Sequence, residues 1–108
     1  MLAPDRGDLV YVNFNPQTGH EQAGNRPGIV LSPKEFNDIT GFAAVCPITN
    51  TIRGWGFEVK LPEGLAFQGV ILTDQVKSLD WKAQNFKIKG QVPEEIVHDC
   101  LAKIHTFL

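Results

Sequence analysis

Between Asp8 and Leu79 the chain is a succession of short apolar runs, each stopped by proline, glycine or asparagine before it reaches helical length. Runs of this kind, bounded by turn residues, read as strands. The first, Asp8 to Phe14, sets Leu9, Tyr11 and Asn13 on one face and Val10, Val12 and Phe14 on the other, a pattern expected of a strand buried on nearly both sides. Gly28 to Leu31, Phe42 to Ile48, Phe57 to Leu61 and Gly69 to Asp74 follow as further strands, the last continuing through Val76 toward Leu79. Sustained helical spacing appears only at the end, from Pro93 to Leu108, where Ile96, Val97, Cys100, Leu101, Ile104 and Phe107 recur on one face. Glu94 and Glu95 favour the N-terminus of that helix. Two shorter helical pieces are expected. Ser32-Pro33-Lys34-Glu35 reads as a capping box with proline at the first helical position, opening a helix to about Asp38, and Asp80 caps a turn over Asp80-Trp81-Lys82-Ala83.

The pattern implies a mainly β chain with short helices (α+β): a strongly bent antiparallel sheet or small barrel, with a C-terminal amphipathic helix packed on it. With 108 residues and neither repeat nor linker, a single domain over 1–108 is expected. Hydrophobic residues make up 43% and charged residues 20%, as in an ordinary globular protein, and no stretch is long enough to span a membrane. Met1 to Pro4 carries no apolar leader, so the expected address is the cytoplasm.

A formal net charge of -2 argues against a protein that coats nucleic acid non-specifically. Locally the balance differs, since Lys77, Lys82, Lys87 and Lys89 outnumber Asp80. That strip reads equally as a hold on a short nucleic-acid strand and as scattered solvated lysines. Cys46 and Cys100 are far apart in apolar contexts and read as inert buried thiols, and His98 and His105 fall on the polar side of the last helix. No metal site or cofactor is expected.

The run Gly19-His20-Glu21-Gln22-Ala23-Gly24-Asn25-Arg26-Pro27 carries the most chemistry. It places a carboxylate, a guanidinium and an imidazole in a loop framed by glycines, where side chains meet solvent or substrate more often than core. Glu21 and Arg26 read either as a surface ion pair or as the parts of a phosphoryl-transfer site, one taking a proton and the other offsetting charge on phosphate. RNA brings its own nucleophile, the 2'-OH, so neither metal nor serine would be required. Cys46-Pro47-Ile48-Thr49-Asn50-Thr51 adds hydroxyls and an amide past a strand end. Asp74 stands inside an apparent strand, where aspartate is unusual. It reads first as a buried carboxylate bracing a loop and second as a catalytic acid or base.

Gly7-Asp8, Phe14-Asn15-Pro16, the Gly19 to Pro27 run, Val30-Leu31-Ser32-Pro33, Phe36-Asn37, Cys46-Pro47-Ile48-Thr49, Gly69-Val70, Asp74-Gln75-Val76-Lys77-Ser78 and Asp80-Trp81-Lys82-Ala83 fall in the order and spacing of the MazF/PemK toxins. The chain resembles that family from about Arg6 to the final helix. The resemblance implies an SH3-like barrel, a homodimer, and the toxin of a type II toxin-antitoxin pair that cuts single-stranded RNA sequence-specifically. Glu21 would then be the general base, Arg26 the transition-state stabiliser and Thr49 a holder of the scissile phosphate. The products would be a 2',3'-cyclic phosphate and a 5'-OH. The implied partner is an antitoxin whose acidic, disordered tail covers the active site.

Residues proposed to bind RNA are His20, Gln22, Asn25, Asn50, Arg53, Trp55, Gln75, Lys77 and Lys82. Arg53 and Trp55 lie in a glycine-containing loop suited to stacking bases, although Trp55 reads equally as a cap on the sheet; Trp81 reads as core. Some relatives carry an arginine two positions before the strand aspartate, where this chain has Leu72. That departure favours Glu21 and Arg26 over Asp74 and His20. Asn50 replaces the serine or threonine that often follows Thr49. Two rival readings share the fold: a gyrase-binding poison without catalysis, and a degenerate relative that binds antitoxin without cutting.

Overall fold

The structure is a computed structural model that describes residues 2–14 and 25–108. Among the described residues, seven strands and two helices follow in the order β1 (Asp8–Asn13), β2 (Asn25–Val30), α1 (Lys34–Thr40), β3 (Phe42–Thr49), β4 (Glu58–Lys60), β5 (Val70–Leu72), β6 (Lys77–Asp80), β7 (Lys87–Gln91) and α2 (Glu94–Ile104). All strand pairs are antiparallel, along the path β4-β5-β3-β2-β1-β7, with β6 also on β3. The expected mainly β chain with a C-terminal amphipathic helix is thus the fold adopted.

Strand alternation sorts the apolar residues into two clusters. Leu9, Ile29, Cys46, Ile48 and Ile71 gather under α2, which adds Ile96, Val97, Cys100 and Ile104. Val10, Val12, Phe14, Val30, Ala43 and Val45 form the other cluster with Leu79, Trp81 and Phe86. Burial of both sheet faces is why the central strands carry so few polar residues.

β3 organises the sheet. β6 pairs along Phe42 to Val45 and β5 along Ile48 and Thr49, while β2 pairs with Val45 to Pro47. Pro47 has no amide to donate, and it falls where the chain hands over from β6 to β5 as a partner.

The single strand expected from Gly69 toward Leu79 is instead two strands. Thr73 is fully buried, and both its backbone N–H (3.3 Å) and its hydroxyl (2.5 Å) donate to the Phe57 carbonyl. The chain turns there through one 3-10 turn, Thr73–Gln75, and then pairs with a different part of β3. Asp74 is consequently exposed on a turn, which corrects its expected place as a buried brace within a strand.

Ser32 is also not the cap its sequence position implies. Pro33 is the N-cap of α1, without a side-chain cap bond, and the Lys34 amide donates instead to Asp5 Oδ1 at 2.9 Å. The Ser32 hydroxyl donates to Asn37 Oδ1 (2.5 Å) and accepts from the Ala44 amide (2.8 Å). Asn37, fully buried, donates to the carbonyls of Pro4 and Ser32 and accepts the Trp81 Nε1–H at 2.7 Å through its own carbonyl. A tertiary polar knot therefore took the serine that the local pattern assigned to the helix end. At Asp80 the local reading holds, with the Ala83 amide 2.9 Å from its carboxylate.

Both cysteines are buried and free, as expected. Burial pushes the Cys46 thiol up, helped by Cys100 and Asp74, and raises Cys100 to about 12, with Asp99 adding to the effect.

Candidate active site

Strand register brings together two residues far apart in sequence. In the β2/β3 pair Gly28 lies opposite Pro47, and continuing that register by two residues sets Arg26 opposite Thr49. Both line one cavity of about 240 Å³. Arg26 is placed from its other side by pairing with Val12 of β1. Its guanidinium lies over the Phe14 ring, 6.0 Å from the centroid. Gly28 makes this possible, since a β-carbon there would stand 2.8 Å from the Phe14 ring and 2.9 Å from a Val45 methyl. Half-buried against an aromatic face, the guanidinium loses freedom but keeps its fork of donors.

Thr49 closes β3, and its Oγ1 accepts the Thr51 amide at 3.1 Å. A hydroxyl used as an acceptor still has its proton to give, so Thr49 can donate to a phosphate oxygen. The wall past it comes from the loop after β3. Arg53 and Trp55 both face the cavity, with the Arg53 guanidinium 6.0 Å from the indole centroid. Trp55 is 53% exposed, which sets aside its reading as a cap on the sheet. Asp74 and Gln75 supply the remaining polar wall from the 3-10 turn.

Two lining residues, Glu58 and Leu72, were not singled out from the sequence as parts of the site, whereas Thr51 belongs to the run expected to bring hydroxyls to it. Leu72 and Glu58 face each other across the β4/β5 pair, so the position that carries arginine in some relatives is here an apolar piece of wall. The signal for Glu58 was a carboxylate at the start of a strand, directly after a glycine-containing loop.

Glu21, His20 and Gln22 fall outside the described residues. Asn25 is exposed beside Arg26, and Asn50 is exposed beside Thr49, but neither lines the cavity. Lys77 is exposed on β6, and Lys82 sits over the ring of Trp81 with Nζ 5.6 Å from its centroid. Neither lysine lines the cavity. Trp81, 2% exposed, is core as expected. Among the described residues, no three His, Cys, Asp or Glu side chains are grouped to hold a metal ion, and no helix is long and apolar enough to cross a membrane.

Taken together, the cavity offers two guanidiniums, hydroxyl groups and an exposed indole, with carboxylates at its edge. That set suits an anionic, base-bearing ligand. Residues 5–108 match the model of the PemK-like, MazF-like toxins of type II toxin-antitoxin systems. The endoribonuclease toxin MazF of Escherichia coli K12 is 45% identical over 105 residues, 97% of this chain and 94% of that protein. The crystal structure of MazF from Deinococcus radiodurans superposes with a TM-score of 0.88 at 40% identity, covering 98% of this chain and 96% of that one. A MazE-MazF crystal structure from the same organism gives 0.86 at 35% identity, covering 98% and 95%. This chain belongs to the PemK-like, MazF-like toxin family of type II toxin-antitoxin systems.

Proposed function

We propose that this toxin is an endoribonuclease that cuts single-stranded RNA in the Arg26/Thr49 cavity, inhibiting translation and growth. The activity is that of its relatives, named endoribonucleases in Escherichia coli and Bacillus subtilis. The observation that carries the placement is the shared cavity, in which a fixed guanidinium and a hydroxyl stand beside an exposed indole. In the proposed reaction the 2'-OH oxygen attacks the adjacent phosphorus and the P–O5' bond breaks. The 2'-OH proton passes to Glu21. Arg26 and Thr49 bind the non-bridging oxygens as charge builds on them, and the leaving 5'-oxygen takes up a proton. The products are a 2',3'-cyclic phosphate and a 5'-OH, and no step calls on a metal.

The supporting case for a protein partner is equally direct. Solved relatives include MazE-MazF structures from Deinococcus radiodurans. A cognate antitoxin is accordingly the partner of this chain, and we place the protein in the cytoplasm as a homodimer by analogy with its family.

The reading is tested by incubating the purified protein with a long single-stranded RNA in EDTA and mapping the ends. Cuts bearing 5'-OH and cyclic phosphate are expected. Ends bearing 5'-phosphate, or cleavage that stops in EDTA, overturn the mechanism.

A further inference from the structure

The segment from Arg53 to Phe57 precedes β4 without joining a helix or strand, yet three other parts of the chain hold it. Glu58 turns both carboxylate oxygens onto its backbone: the Arg53 N–H donates to Oε2 and the Gly54 N–H to Oε1, each at 3.0 Å. The Glu58 amide closes the turn by donating to the Trp55 carbonyl at 3.1 Å. From α2, Lys103 Nζ donates to the Gly56 carbonyl at 2.6 Å, and beyond its end Phe107 meets Phe57 edge-on with centroids 5.7 Å apart. Thr73 ties the Phe57 carbonyl to the start of the Asp74 turn.

Gly54 has φ +80° in open space, so the turn requires its conformation and not its small volume. This left-handed residue aims two successive amides at one carboxylate. Such paired amides make a strong anion-binding concavity, here filled by the protein's own side chain. An exposed segment anchored in this way loses little further freedom on binding a ligand.

We propose that Glu58 is a positioning residue for RNA recognition: by engaging the Arg53 and Gly54 amides it fixes the Arg53/Trp55 pair as a platform for one unpaired base and its phosphate. The platform stands beside Arg26 and Thr49, so a base stacked on Trp55 sets which phosphate enters the cutting position. This inference rests on the endoribonuclease reading. It also assigns Glu58 no proton transfer, since both oxygens are directed at the loop backbone.

The test combines two measurements on wild type, Glu58→Ala and Glu58→Gln, together with an Arg53→Ala/Trp55→Ala variant made with and without Glu58→Ala. Steady-state cleavage of an RNA oligonucleotide with one mapped cut should show KM raised about tenfold in Glu58→Ala, the worth of losing one stacked base. The kcat should stay within about threefold, because no reacting group is removed. Glu58→Gln, which keeps one acceptor oxygen, should fall between the two. Adding Glu58→Ala to the Arg53→Ala/Trp55→Ala variant should leave KM nearly unchanged, because the platform is already gone. A collapse of kcat at constant KM in Glu58→Gln would make Glu58 a catalytic base, and an additive KM loss would place its action elsewhere; either overturns the proposal.

Amide exchange at Arg53 and Gly54 reads the anchoring without reference to activity. Protection in wild type that is lost in Glu58→Ala is expected, and equal exchange rates in both overturn the anchoring. A wild type that cuts no RNA fails the endoribonuclease reading instead, and the exchange result still decides what Glu58 holds.

Discussion

Gly69 presses so closely on Thr49 that a β-carbon at position 69 would overlap the Thr49 carbonyl oxygen and stand 2.8 Å from its carbon. The contact is backbone to backbone, so no side-chain rotation relieves it. It ties the start of β5 to the end of β3 at the residue proposed to grip the scissile phosphate.

Gly69→Ala should therefore act on both stability and catalysis. Its φ of +111° is poorly open to alanine, and the overlap forces β3 and β5 apart. A loss of about 2 kcal/mol or more is expected from strain and overpacking together, read from urea unfolding. Cleavage should drop by more than the unfolded fraction explains, since Thr49 is displaced. Wild-type activity at full stability would show that Thr49 tolerates the shift.

Arg26→Ala and Glu21→Gln should each slow cleavage roughly 100-fold or more while the fold survives, the ordinary worth of a transition-state donor and a general base. Circular dichroism and single-turnover rates check this. Arg26 is only half-buried, and its one described ring contact, to Phe14, contributes about 0.5–1 kcal/mol. A variant that keeps more than about a third of the wild-type rate would remove that residue from the mechanism, because such a loss is far below those magnitudes.

The two tryptophans should separate cleanly. Trp55→Ala is expected to weaken RNA binding about tenfold, as a lost stacking partner, with little change in melting temperature. Trp81→Ala should cost about 3–5 kcal/mol, since it empties a core site and leaves the Asn37 carbonyl without the 2.7 Å indole donor. Equal thermal shifts in both would contradict the assignment of one to the surface and the other to the core.

The thiols give a pH dependence of definite sign. Cys100 is raised from 9.0 to about 12 and Cys46 is raised further, so both stay protonated in the folded state while the unfolded chain ionises near 9. Above pH 9 the unfolded state binds fewer protons, and stability falls as pH rises toward the folded values. Each thiol contributes at most about 1.4 kcal/mol per pH unit in that window. Replacing both with alanine should flatten the stability slope above pH 9, measured by urea unfolding from pH 8 to 10.5. A thiol reagent at pH 8 should find neither cysteine until the protein is denatured.

Most strand positions, the C-terminal helix, the Asp80 turn and the buried state of Trp81 were legible in sequence, because each rests on neighbours within a few positions; the strand over Lys87–Gln91 was not, and Asn25, Arg26 and Pro27, expected in a loop, belong to β2. Periodicity places Ile96, Val97, Cys100 and Ile104 on one face whatever they pack against. Asp74 and Ser32 were misread for the opposite reason. Thr73 turns the chain because a carbonyl sixteen positions earlier accepts its hydroxyl, and Ser32 abandons the helix cap for a knot that reaches Pro4 and Ala44.

The sequence by itself determined the fold class, the family and the residue kinds that the chemistry needs. Only the tertiary structure decided that Arg26 and Thr49 line one cavity, since that depends on strands paired over long range. It also decided that Glu58 holds the loop carrying Arg53 and Trp55. Local pattern records what each residue prefers among its neighbours; which distant backbone groups it will meet is fixed only when the sheet closes over its two cores.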